Sequence, residues 1–178
     1  MGKMSFLLPP HLPADLVAEL RQSCLAGGLD NSPVPTHVRL DANRLELSRA
    51  IDESGYWLTP WDIGECGRLM LSSTTLIERP EPYHAAIELA RGELNILRNA
   101  LSEWQGTVPR FSDTVSQEVQ QLSRTFAQAL IDPGSPESEA LAIQVLRQTI
   151  QLIDRIVPQF AEQALQRRKL SQPRFGAG

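Results

Sequence analysis

Near residue 80 the apolar residues of this chain stop recurring at every second position and begin to recur every third or fourth. Upstream, Val38 and Leu40, then Leu45 and Leu47, alternate with polar neighbours, the period that turns one face of a β-strand toward a core. Downstream, Ile87, Ala90, Leu94, Leu97, Leu101 and Trp104 follow the 3.6-residue period of a helix with one buried stripe. Neither an all-helical nor an all-strand architecture satisfies both halves. Strands that come first and helices that come last are segregated rather than alternating, so the expected class is α+β.

The first half divides further. "LPADLVAELRQSCLAGG" reads as one amphipathic helix, with Pro13 at its first position, Leu16, Val17, Leu20 and Cys24 at helical spacing, and a stop at Gly27-Gly28. "LDNSPVPT" is an extended connector, because a residue ahead of proline avoids the helical region. Four strands follow: "THVRLDA" and "NRLELSRAI", joined by a tight turn at Asp41, Ala42 and Asn43, then "GYWLTPW" and "GRLMLSSTTLI", bounded by the loop sequences "DESG" and "DIGECG". Their simplest arrangement is one antiparallel meander of about four strands with a face to be covered.

Three long helices supply the cover. The first spans "PEPYHAAIELARGELNILRNALSEWQG" and ends at Gly106. The second carries Val115, Val119, Leu122, Phe126 and Leu130, opens at a Ser or Asp cap and stops before Pro133 and Gly134. In the third, Ser135 caps and Pro136 takes the first position. Its stripe of Ile143, Leu146, Ile150, Ile153, Val157, Phe160 and Ala164 is widened by Val145, Leu152 and Ile156. Pro158 predicts a kink or break within it, since proline lacks the amide hydrogen and crowds the preceding turn. The expected organisation is a helix plus sheet over residues 1–80, a helical bundle packed on the sheet over 81–170, and a tail or linker over 171–178.

Composition narrows the function. A chain of 178 residues with a net charge of −4 can bury a core unaided and carries no broad basic footprint for nucleic acid; "RRK" at 167–169 reads as a helix terminus rather than a phosphate clamp. No apolar run is long enough to cross a bilayer, and the N-terminus lacks the sustained apolar stretch of a secretory signal, so a cytoplasmic address is expected. Cys24 and Cys66 are too few and too far apart for a disulfide framework. His11, His37 and His84 lie in different segments, without the short ligand spacings of zinc sites, and no nucleophile elbow, P-loop or dinucleotide fingerprint occurs. No catalytic residue, metal or cofactor is therefore expected. Asp52 with Glu53, and Glu78 with Glu81, are adjacent carboxylates that suit solvated turns better than an acid and base pair.

Two groups of side chains stand out as binding candidates. In "SGYWLTPWDIGECGRLMLSS" the strand period sends Tyr56 and Trp57 to opposite faces and leaves Trp61 beyond Pro60, so Tyr56, Trp57, Trp61 and Arg68 form either a ligand platform or the aromatic end of a core. His84, Glu88, Arg91, Asn95 and Arg98 fall on one face of the first long helix opposite its apolar stripe. That face is either an anion or sugar contact or a solvated surface with Glu88 and Arg91 as a helix salt pair.

The stretch "GYWLTPW...GRLMLSSTTLIERPEPYHAAIELARGELNILRNALSEW", residues 55 to 104, resembles the segment that stands ahead of a xylanase-like barrel in a group of large bacterial proteins similar to the glycoside hydrolases of family ten. Such proteins use two catalytic glutamates on β-1,4-linked sugars. The present 178 residues contain no βα repeat and hence no barrel, so the resemblance implies a non-catalytic accessory module that carries no hydrolase site. The partners expected on this basis are a β-1,4-linked oligosaccharide, a downstream catalytic domain, or, through the apolar stripe of residues 141–164, a second copy of the chain in a structural or oligomerisation role.

Overall fold

The computed structural model describes residues 2–10, 12–28, 30–104 and 113–171. His11, Gly106, the Ser112 cap and the tail from residue 172 onward lie outside these residues. Strands precede three long helices, as an α+β chain requires, but the strands form two sheets rather than one meander. The first contains β1 (Gly2–Leu7), β4 (His37–Asp41), β5 (Arg44–Arg49) and β8 (Tyr83–His84) in the order β4-β5-β1-β8. The second contains β2 (Cys24–Gly27), β3 (Ser32–Val34), β6 (Tyr56–Asp62) and β7 (Arg68–Ser72) in the order β3-β2-β6-β7.

Both hairpins read from the sequence form, and each goes to a different sheet. β4 and β5 pair antiparallel with Leu40 opposite Leu45 and Asp41 opposite Arg44, leaving Ala42 and Asn43 as a two-residue turn in which Ala42 takes a positive φ of 49°. β6 and β7 pair with Trp61 opposite Leu69. Four strands lie outside the expected meander: β1 and β8 in the first sheet, and β2 and β3 in the second, β3 being formed by part of the stretch expected to be a connector. β1 aligns Met4 and Phe6 with Leu47 and Leu45, while β2 aligns Leu25 with Trp57. An apolar run as short as "SFLL" ahead of two prolines is too brief to show a period of its own. The four-residue step from Leu20 to Cys24 imitates a helix, yet α1 (Ala14–Glu19) ends early in a 3-10 turn over Leu20–Gln22. Ser23 then extends, and its hydroxyl meets that of Thr59 in β6 at 2.7 Å. That bond between buried hydroxyls favours a strand over another helical turn.

The inner faces of the two sheets share one core. Phe6 stacks on Trp57 with ring centroids 4.0 Å apart, and Met4, Leu45 and Leu47 from one sheet join Leu25, Trp61 and Leu71 from the other. The helices α2 (Ala85–Trp104), α3 (Asp113–Ala129) and α4 (Pro136–Ser171) complete it. α2 is the central one, with contacts to β7, β8, α3 and α4, and ten of its residues are buried, more than a single stripe supplies. It approaches β7 so closely at Gly92 that a Cβ there would lie 1.9 Å from the Ser72 carbonyl oxygen.

The third long helix begins as the sequence requires, with the Ser135 hydroxyl accepting the Ser138 amide at 3.2 Å and Pro136 at its first position. It does not break at Pro158 and continues for 36 residues. Tertiary contacts on both sides of the proline, buried Ile156 before it and Phe160 stacked on Trp104 after it, offset the missing amide. Half of the widened apolar stripe is buried, at Val145, Leu146, Ile150, Leu152 and Ile156, while Ile143, Ile153, Phe160 and Ala164 are half-buried and Val157 is exposed. No described helix is long and apolar enough to cross a membrane.

Candidate functional site

The four residues of the aromatic stretch do not assemble into a surface platform. Trp57 is 0% exposed and Trp61 3%, because β6 runs through Pro60 to Asp62 instead of turning there and sets both indoles, four residues apart, on the same inward face as Thr59, while Tyr56 and Leu58 alternate to the half-buried face. Tyr56 is half-buried beside Ala26 of β2. Arg68, at the start of β7, is committed to α1, with Nη1 donating to Glu19 Oε1 at 2.5 Å and Nη2 to Asp15. This pairing holds the Asp15 carboxyl below its ordinary range and clamps the short helix onto the second sheet. Neither indole presents a ring face on which a sugar could stack.

The polar stripe is also redistributed. His84 is not helical; it ends β8, opposite Leu7 of β1, and Gly134 permits the imidazole to approach, since a Cβ there would lie 2.8 Å from His84 Cε1. Glu88 is buried and accepts a 3.1 Å hydrogen bond from Arg91 Nε, and the Arg91 guanidinium lies 5.4 Å from the ring centre of Phe126 in α3. Asn95 and Arg98 remain exposed farther along α2. Of the two alternatives, the salt pair is the arrangement present. It sits at the junction of two helices instead of in solvent, because α2 is covered on more than one side.

What the fold does build is a groove where β1, α1, β6, β8 and the start of α4 meet. One hollow of about 290 Å³ lies between His84, Asn43, Leu8 and the first turns of α2 and α4. A second of about 470 Å³ runs between α1 and α4, floored by the edge of Trp61 and lined by Leu12, Leu16, Ala140 and Ile143. The two adjoin, sharing Pro9, Pro10, Pro136 and Glu139 in their linings. The larger is aliphatic and proline-rich, with Asp62, Glu139 and Arg147 as charges. Of the residues singled out from the sequence as binding candidates, His84 lines the first hollow and Trp61 the second. The prolines between β1 and α1 and the first turns of α4 were missed, since segments so distant in the chain give no local sign that they will meet.

Among the described residues no group of three or more His, Cys, Asp or Glu side chains could hold a metal ion. Burial pushes the Cys24 thiol up, away from a reactive thiolate. Two carboxyls do meet elsewhere, Asp52 and Glu78, which neither sequence-adjacent acidic pair had suggested. Burial first, and then the neighbouring Asp52, push Glu78 above the ordinary glutamate value. They lie at the open end of the first sheet beside Gly2, where a Cβ would lie 2.1 Å from Glu78 Oε1. At the second sheet Glu93 is buried in α2 near the Ser72 amide, and burial raises its pKa as well.

No family model, curated protein or solved structure matches this chain.

Proposed function

We propose that this chain is a non-catalytic accessory module that docks a catalytic domain of the xylanase-like class through the groove between α1 and α4. The reading rests on one observation above the rest: Trp57 and Trp61 are sealed in the core, and the hollow between α1 and α4 is aliphatic and proline-rich. Sugar recognition uses an open aromatic face with polar groups at its edge, whereas a groove of Leu12, Leu16, Ala140 and Ile143 suits an apolar protein segment. The class of partner comes from the resemblance of residues 55–104 to the region that precedes such barrels. Asp62, Glu139 and Arg147 would set orientation more than affinity.

Calorimetry separates the docking and sugar roles. Titrating the chain with a xylanase-like catalytic domain is expected to give saturable heat, lost in Ala140→Arg, where an exposed groove residue is enlarged without disturbing the core. Titrating it with xylo-oligosaccharides is expected to give none. Sugar binding accompanied by a change in Trp emission, or equal binding of the domain by the wild type and Ala140→Arg, overturns the proposal.

A further inference from the structure

The outer face of the first sheet carries another hollow, which shares no lining residue with the groove. Met4, Phe6, Leu45 and Leu47 face the core, so the strand period sends Lys3 and Ser5 of β1, and Arg44 and Glu46 of β5, to the opposite side. β8 flanks β1 on its other edge, and the segment that leads into it, Glu78, Arg79 and Pro80, closes a trench of about 450 Å³ over Lys3, Ser5 and Arg44.

Two guanidinium groups line this trench, and both are fixed by neutral acceptors. Arg44 Nη2 donates to the hydroxyl of buried Ser5 at 3.0 Å. Arg79 Nε and Nη2 donate to the main-chain carbonyls of Glu81 and Pro82 at 3.1 and 3.3 Å, and its guanidinium carbon lies 3.6 Å from the ring centre of Tyr83. These contacts orient the side chains and leave their charge without a counter-ion. Glu46 stands 3.4 Å from Arg44 Nε without accepting a hydrogen bond from it. Its carboxylate is committed first to Lys3 at 3.0 Å, and that ammonium chiefly holds it below the usual glutamate range. Among the described residues no carboxylate pairs with Arg79, and Nη1 of each arginine has no acceptor. Burial, and then Asp52, make Glu78 hold its proton more tightly than an ordinary glutamate, which weakens its claim on the two arginines.

Like charges gathered in one hollow repel, and a doubly charged oxyanion between them replaces that repulsion with charge-assisted hydrogen bonds. We propose that Arg44, Arg79 and the Ser5 hydroxyl bind a small molecule bearing a phosphate monoester. The planar fork of arginine matches two oxygens of one phosphate, and Ser5, which accepts from Arg44, still has its own hydrogen to give. The trench is roomier than a single tetrahedral ion requires, which leaves space beside Pro80 for the organic group of the ester.

Calorimetric titration of the full 178-residue chain at low ionic strength tests the site, with glycerol 3-phosphate as the probe, inorganic phosphate as the bare headgroup and glycerol as the control. Saturable binding of glycerol 3-phosphate is expected, with weaker binding of inorganic phosphate and none of glycerol. Arg79→Gln and Arg44→Gln should each weaken the ester by about tenfold or more, while Arg39→Gln, on the same face but outside the trench, should change it by less than about twofold. Arg79 is exposed, so its replacement leaves the core intact; Arg79→Lys, which keeps the charge and removes the fork, is expected to lose most of the affinity with an unchanged circular dichroism spectrum. No saturable heat from glycerol 3-phosphate up to about 20 mM overturns the proposal. So does equal affinity of the wild type and Arg79→Gln, or a loss in Arg39→Gln as large as that in Arg79→Gln.

Discussion

Replacing Gly92 with alanine sets two effects of opposite sign against each other, and the structure decides between them. In an isolated helix the change is favourable by about 0.8–1.0 kcal/mol, because glycine loses the most backbone freedom. Here the new methyl would sit 1.9 Å from the Ser72 carbonyl oxygen, 2.9 Å from the Ser72 carbonyl carbon and 3.0 Å from that of Ser73. All three are backbone atoms, so no side chain can rotate away. To restore an ordinary contact of 3.4 Å, α2 has to retreat from β7 by about 1.5 Å. Overpacking of this kind costs about 1–3 kcal/mol. The same retreat draws buried Glu93 away from the Ser72 amide, and a buried polar group that loses its partner costs about 1–3 kcal/mol more. The losses exceed the propensity gain, and Gly92→Ala is expected to destabilise the protein by about 2 kcal/mol, a fall in melting temperature of roughly 4–8 °C for a chain of this size. Urea unfolding followed by circular dichroism and by Trp emission measures this, with Asn95→Ala on the exposed face of α2 as the helix-propensity control. A Gly92→Ala variant as stable as the wild type, or more so, refutes the close approach of α2 to β7.

Three other outcomes are expected. Burial raises the pKa of Glu93, so the folded state holds this proton more tightly than the unfolded state; the stability it contributes is present in acid and lost as pH climbs above the ordinary glutamate value of 4.5. Glu93→Gln should therefore stabilise the protein near neutral pH and flatten that part of the pH profile in denaturant titrations, and a variant less stable than wild type at pH 7 contradicts the assignment. Ala42 occupies the left-handed region at φ 49°, where asparagine is far better tolerated, and Ala42→Asn is expected to add roughly 0.5–1 kcal/mol of stability, read as a raised urea midpoint with an unchanged slope. With Trp104 replaced by Phe, the remaining emission comes from Trp57 and Trp61 and should be blue-shifted and nearly insensitive to iodide; strong quenching would mean that an indole face is open.

Local regularities were legible in the sequence to the extent that they repeat within a few residues. The helical period of Ile87 to Trp104, the Ser135-Pro136 start of α4 and the tight turn at Ala42-Asn43 each follow from neighbours in the chain, and each is present in the fold. Four strands lack a legible signal because each is shorter than the windows that reveal a period: β1 is a brief apolar run before prolines, β2 lies in register with the preceding helix, β3 falls in the proline connector and β8 is two residues long. His84 was assigned to the helix that follows it because a two-residue bridge to β1 leaves no trace in local spacing. The candidate site was less legible still, since its walls come from residues 8–16, 61–62 and 136–147.

The sequence alone determined the three long helices and the two hairpins, because hydrophobic period, caps and turn residues act over distances shorter than one element. Only the tertiary structure decided which strands share a sheet, that Trp57 and Trp61 face inward, that Glu88 and Glu93 are buried, and that α4 outruns its neighbours. Those outcomes depend on which apolar faces remove the most surface from water together, a property of the assembled faces that no single segment carries.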